Sequence, residues 1–353
     1  MIRPAATFSP RVALFALVTL APVPLLAAGA LWGGFWLLAA LIYMSVFAFC
    51  LDQLAALSLG EDDAGREFPA ATWLSALLGL VHFPLFALAV LAVAGRSGLA
   101  PAERVAAFFA FGLYFGQVSN SNAHELIHRG QRILFALGKW AFITHLFGHH
   151  ASAHRLVHHV HVATPRDPNT ARRGENFYRF APRAWIGSFL EGLRAENARR
   201  QRSGADGVHP YATCLAGAAL ALGASALLAG PAGVAAHLAL AAYATMQLLL
   251  SDYVQHYGLR RTIGPDGRPE PVSPAHSWDS PRWFSGLLML NAPRHADHHM
   301  HPTRPFPALQ QPDDAPKLPY GLPVMGAIAL WPARWRRLMD RRLPPPDLPP
   351  PER

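Results

Sequence analysis

The chain is poor in cysteine and poor in charge. Its two cysteines, Cys50 and Cys214, both sit inside apolar runs. Two isolated thiols make neither a disulfide framework nor a CxxC metal site, so both read as packing residues. They also exclude an iron–sulfur or rubredoxin-type module within the chain, because such centres are held by several thiolates. Charged residues are only 15% of the 353, while 52% are hydrophobic, and mean hydropathy is +0.17. That balance argues against two or three water-soluble domains and for one membrane-embedded unit. The formal net charge is +9. No nucleic-acid motif accompanies it, and the basic residues flank apolar runs. The charge therefore reads as membrane topology and lipid contact, with no nucleic-acid partner.

Apolar runs at 12–32, 34–51, 73–94, 103–122, 211–229 and 232–250 predict an all-α integral membrane protein with six transmembrane helices. Arg3, Arg11 and the Ala28-Gly29-Ala30 stretch resemble a cleaved signal peptide. Further spans follow, however, and Pro22 and Pro24 interrupt the run, which favours a retained helix. Tight turns join the first two spans and, at Gly230-Pro231, the last two. The helix beginning near Glu103 needs about 26 residues to reach His128, or roughly 39 Å against a hydrocarbon core of roughly 30 Å. It should project past the membrane and carry its histidines outside. The run 133–147 is short and holds Lys139 and His145, so it reads as interfacial or buried.

Six spans put both termini on one side. The basic segment 129–209 and the Arg-rich C-terminal region share that side, which the positive-inside rule makes cytoplasmic, in a bacterial-type inner membrane. The expected organisation is a membrane domain over 1–310 and a cytoplasmic segment over 311–353, ending in a Pro-rich tail. The stretch 52–67 reads as a polar loop.

Nine of the eighteen histidines fall between His124 and His161. His124 and His128 are spaced i, i+4, as are His154 and His158, with His159 following; this spacing puts two imidazoles on one helix face. A distant third cluster holds His295, His298 and His299. Imidazole is a favoured ligand of zinc, copper, iron and nickel, so the pattern points to a multi-histidine metal centre. His124-Glu125-Leu126-Ile127-His128 matches HExxH, the pattern of zinc proteases in which the glutamate is general base. One zinc would leave most of the other histidines idle, whereas a dinuclear site employs them. A metal transporter is a third class, but it would set ionisable groups near mid-membrane rather than at span ends.

The motifs taken together resemble the membrane alkane hydroxylases (alkane 1-monooxygenases) of the fatty-acid-desaturase-like superfamily. His124 to Arg129 resembles the first histidine box. His154 to His159, with Val162 to Pro168 and Gly174 to Phe180, resembles the second box and its flank. His256-Tyr257-Gly258-Leu259 resembles an additional histidine motif, and Arg294 to His299 the third box. The resemblance runs in matching order over roughly 30–310. It implies two non-haem iron ions held by His124, His128, His154, His158, His159, His256, His295, His298 and His299. Glu125, Asp252 and Asp297 are the candidates for orienting them. Ala153 and Gln255 stand where the family tends to have glutamate.

The implied reaction is hydroxylation of a terminal methyl of an alkane or similar hydrocarbon, using O2 and electrons from rubredoxin (or ferredoxin) and its reductase. The basic face around Arg172, Arg173, Arg199 and Arg200 offers a dock for an acidic carrier, or for anionic lipid. The alternatives are an aromatic methyl hydroxylase of the xylene monooxygenase type and a fatty-acyl desaturase. His82 and His237, inside apolar runs, read as core or channel residues. His145, His149 and His150 lie near the second box but lack its flank. His161, His209, His276 and His301 read as ordinary polar residues.

Overall fold

The computed structural model describes residues 9–54 and 68–344. Positions 55–67 of the expected polar loop, and 345–353 of the Pro-rich tail, lie outside the described residues. Those described are all-helical, with two isolated bridges, Ile263 to Pro269 and Asp279 to Lys317, and no strand. We number the helices α1 (Pro10–Trp32), α2 (Gly34–Leu54) and α3 (Pro69–Val93). Helix α4 runs from Pro101 to Ile127 through a π turn at Phe115–Ser119, and α5 is Arg132–Thr144. The short α6 spans 150–161 and contains a second π turn at His154–His158; α7 is Phe177–Ser203 and α8 is Pro210–His256. Four short helices follow: α9 (Trp283–Leu288), α10 (His295–Met300), α11 (Leu322–Ala329) and α12 (Pro332–Met339).

Helices α1, α2, α3 and α8 are long and apolar enough to cross a membrane. Their outer faces expose large apolar side chains such as Trp32, Phe35, Trp73, Leu220 and Leu227, as lipid-facing helices do. The chain is a multi-pass membrane protein.

Two turns shape the bundle. Gly33 and Gly34, at φ of 62° and 49°, reverse the chain between α1 and α2, in the backbone region that glycine enters without penalty. Glu103 fixes this turn from the start of α4: it accepts the Gly34 N–H at 2.8 Å and the Ala100 N–H at 2.9 Å. The second turn interrupts α8, where Ala229 and Gly230 leave helical geometry. Twelve residues of straight helix would span about 18 Å. Ser225 Oγ nevertheless lies 2.7 Å from His237 Nδ1, so the two arms of α8 fold back on each other.

One apolar core joins α1–α4 with Phe284 to Leu290, and Phe306 packs edge-on against Phe15 at 4.7 Å. The other holds Tyr253, Tyr257 and Trp278 against Met325, Trp335 and Met339. Residues 311–344 are thus packed into the body of the protein up to α12. Tyr257 reinforces the seam by donating to Asp340 Oδ1 at 2.7 Å.

Candidate metal centre

The end of α4 is set by polar groups within the bundle. Asn120 Nδ2 donates to the Ala244 carbonyl at 2.8 Å, and Asn122 Nδ2 to the Ser75 carbonyl at 2.9 Å. These anchors, just after the π turn, aim His124 and His128 at α6 and α10. His256 ends α8. Helix α10 begins where Asp279 Oδ1 accepts the Ala296 N–H at 2.8 Å, which satisfies one of the open donors of a helix start. Asp279 lies in the chain only after a long loop, and nothing in its sequence neighbourhood flags it.

The nine histidines converge into two groups. His124, His128, His154, His159 and His298 form one; His158, His256, His295 and His299 form the other. Within each, the ligand nitrogens all lie within 4.8 Å of one another. His154 and His158 do share one helix face, their rings stacked with centroids 5.1 Å apart, yet they serve different groups. The π turn pairs His154 with His159 and sends His158 to the second group.

Hydrogen bonding alone does not account for the first group. His154 Nε2 lies 2.7 Å from His124 Nε2 and 2.9 Å from His159 Nε2, which is itself 3.1 Å from His298 Nε2. A ring nitrogen offers either one hydrogen or one in-plane lone pair. Of three contacts along four nitrogens, two at most are hydrogen bonds. In the second group, His295 Nε2 faces both His256 Nε2 at 3.0 Å and His299 Nε2 at 3.1 Å. Such separations fit a shared cation, since bonds of about 2.1 Å set adjacent ligand nitrogens about 3 Å apart. His128 Nε2 and His158 Nε2, both buried and without a hydrogen-bond partner among the described residues, complete the sets. Burial first, then neighbouring imidazoles, holds His128, His154, His159, His295, His298 and His299 well below the usual 6.5. They are neutral at pH 7, the form that binds metal. This is a metal-binding site.

His158 differs. Burial alone would lower its pKa, but Asp167, 2.9 Å from Nδ1, raises it above the usual value; His158 and further hydrogen bonds in turn hold Asp167 low against its own burial. A carboxylate on the far nitrogen of a histidine fixes which nitrogen faces the metal. Asp167 lies within the Val162 to Pro168 segment that marked the second box, so a signal for it existed, though not for its role.

The three carboxylates proposed from sequence have other immediate partners. Glu125 pairs with Arg129 and accepts the Phe306 N–H at 3.3 Å. Asp297 holds Arg304, His301 and the Gln310 N–H. Asp252 accepts Asn169 Nδ2 at 2.6 Å. Among the remaining histidines, His82 meets Ser119 and Thr144, His145 meets Asn120, His149 meets Ser188, and His237 meets Ser225 and the Thr144 carbonyl. His150 stacks on Phe147.

A small chamber of about 50 Å³ touches both groups through His124, His154 and His295. An apolar cavity of about 470 Å³ between α2, α8 and α11 adjoins it, and the two share Gly116, Gln247, Ser251 and Met289. These four residues stand between an apolar space and the metal site, and we refer to them as the neck.

With this geometry stand the similarities to other proteins. The sequence profile of the fatty acid desaturase family matches residues 101–327, and the chain belongs to that family. Among individual relatives, it is 34% identical over 229 residues to an alkane 1-monooxygenase of Acinetobacter baylyi, covering 64% of this chain and 56% of that one. It is 36% identical over 242 residues to alkane 1-monooxygenase 1 of Alcanivorax borkumensis, covering 67% and 60%. To the xylene/toluene monooxygenase hydroxylase component of Pseudomonas putida it is 27% identical over 231 residues, covering 62% and 58%. The matches thus span under two thirds of these relatives' lengths.

Proposed function

We propose that the chain is a membrane non-haem di-iron monooxygenase that converts the terminal methyl of an alkane or similar hydrocarbon to a primary alcohol. The observation that carries this reading is a chamber touching both histidine groups that shares four wall residues with a larger apolar cavity. The balance is RH + O2 + 2 electrons + 2 protons, giving ROH + H2O. Two irons, one per histidine group, would supply oxygen reduction and hydrogen removal from the methyl carbon. The chain's own work is placement. The apolar cavity takes the hydrocarbon, the four shared wall residues present its end to the chamber, and burial keeps the imidazoles of His128, His154, His159, His295, His298 and His299 neutral and ready to bind metal.

The names of the relatives favour an alkane over an aromatic methyl group, since the xylene-type relative is less similar. A zinc protease would need Glu125 free to act as base, whereas its carboxylate is tied to Arg129 and Phe306. Six spans, at 12–32, 34–51, 73–94, 103–122, 211–229 and 232–250, with both termini and the site mouth cytoplasmic in an inner membrane, follow from the charge distribution. Electrons would come from rubredoxin, for which the arginines near Arg172 and Arg199 offer complementary charge.

The test is octane turnover by membranes supplied with rubredoxin and its reductase, with metal analysis alongside. Octanol and two irons per chain are expected. One zinc per chain and no alcohol would overturn the reading; a preference for p-xylene would move it to the aromatic alternative.

A further inference from the structure

The proposed reaction brings two protons per turnover to a chamber fed by an apolar cavity. Among the described residues, apart from His150 and the metal-group histidines, the titratable side chain lining that chamber is Asp252, the single carboxylate on its wall. Gln255 beside it is committed: its Nε2 donates to the Ala292 carbonyl at 3.0 Å, and its Oε1 accepts Ser251 Oγ at 2.8 Å. Asp252 is buried, and Asn169 Nδ2 holds its Oδ2 at 2.6 Å. Asn169 is fixed in turn, its backbone N–H donating to Asp167 Oδ1 at 3.0 Å. Asp167 also lines a separate cavity of about 250 Å³ flanked by Arg172 and Arg260, both exposed. A buried carboxylate on a chamber wall, held by one oxygen in a built polar support that reaches an outward-facing cavity, is placed to handle protons rather than to bridge an ion pair.

We propose that Asp252 delivers protons to the chamber during oxygen reduction, with Asn169 and Asp167 positioning it. This rests on the monooxygenase reading. In each delivery the Asp252 O–H bond breaks, and a new O–H bond forms on the oxygen atom that leaves as water. The resulting carboxylate regains its proton from solvent water. Two such deliveries accompany the two electrons given by the electron-transfer protein, which closes the balance.

The test compares wild type, Asp252→Asn and Asp252→Glu in membranes with hydrocarbon, electron carrier and reductase. It reads alcohol formed, alcohol per O2 consumed, the solvent deuterium isotope effect and iron content. Asp252→Asn keeps the shape and an acceptor for Asn169. It should retain iron, lose about 100-fold in alcohol formation, as expected for a positioned acid, and waste O2; Asp252→Glu should recover part of the rate and the coupling. Alcohol formation within about twofold of wild type in Asp252→Asn would overturn the proposal. So would loss of iron in Asp252→Asn, or an equal loss of rate in both variants, because either marks a structural role. A wild type that forms no alcohol sinks the monooxygenase reading and this proposal with it; an active wild type with an unaffected Asp252→Asn overturns the proposal alone.

Discussion

His154 Nε2 lies 2.9 Å from His159 Nε2, although the two are five positions apart in sequence. In a regular α-helix, position i+5 points about 140° away from i. The π turn over His154–His158 closes i to i+5 and brings the two rings to one side. His158 is thereby released to face His256, His295 and His299. One extra residue in a helical turn lets a single segment serve both metal groups.

Adjacent histidines should therefore fail differently. His159→Ala removes a nitrogen from the five-member group, and His158→Ala one from the four-member group. Each is expected to lower iron below two per chain and alcohol formation by at least about 100-fold, within the range over which such machinery acts. His158→Ala combined with His256→Ala should cost little more iron than either alone, whereas His158→Ala with His159→Ala should empty both groups. Metal analysis of the purified variants decides this. Identical iron loss in both double variants would mean that the nine histidines act as a single undivided site.

The contact between His158 and Asp167 makes iron binding depend on pH. The raised pKa of His158 means that, in the metal-free protein, its proton must leave before Nε2 can bind. Iron affinity should rise with pH through a value above 6.5 and level off beyond it. For the metal-free fold the sign is opposite: the raised His158 pKa adds stability at low pH that fades as pH climbs through that value. The depressed Asp167 pKa adds stability that fades as pH falls through its own. In Asp167→Asn the step in iron affinity should move to lower pH, and affinity at high pH should drop about 10–100-fold. Chelator competition across pH reads both; an unmoved step would show that Asp167 does not govern His158.

The neck between cavity and chamber should control which hydrocarbons reach the metals. At Gly116, a Cβ would run into the end of the Gln247 side chain, whose Nε2 donates to the Gly112 carbonyl at 2.8 Å. Gly116→Ala must push that flexible amide aside, into a passage it already borders. A broad ring should suffer more than a narrow chain, so product from p-xylene is expected to fall several-fold relative to product from octane. Iron content should stay at two. An unchanged ratio of the two products would place the substrate route elsewhere.

What the sequence made legible follows from how locally each feature is encoded. The helical runs, the reversals at Gly33 and Gly230, and three of the histidine clusters are visible as composition or spacing, while His256 is picked out only by the resemblance to the alkane hydroxylases. The π turn at His154 is not. It changes hydrogen-bond register without changing residue type, and an i, i+4 spacing reads the same either way. Asp167 could be flagged by its segment, but its partner depended on a turn bringing it back under His158. The packing of α11 and α12 was hidden because a segment with no long apolar run reads as a cytoplasmic piece outside the membrane domain, while its burial depends on Trp335 finding two tyrosines on another element.

That tryptophan gives a stability test of the C-terminal seam. Trp335 is fully buried, with ring centroids 5.3 Å from Tyr253 and 5.2 Å from Tyr257, the residue after His256. Its removal leaves a cavity beside the chain that carries a ligand-group histidine. Trp335→Ala should cost about 3–5 kcal/mol, the usual range for a buried aromatic truncated to alanine. Trp331, one turn away and 70% exposed, is the matched control, and Trp331→Ala should stay within about 0.5 kcal/mol. Thermal unfolding in detergent, followed together with iron release, separates the outcomes. If α12 braces the end of α8, iron leaves Trp335→Ala at the same lowered temperature at which the fold is lost. If unfolding shifts while iron release does not, α12 contributes to stability without bracing the metal centre.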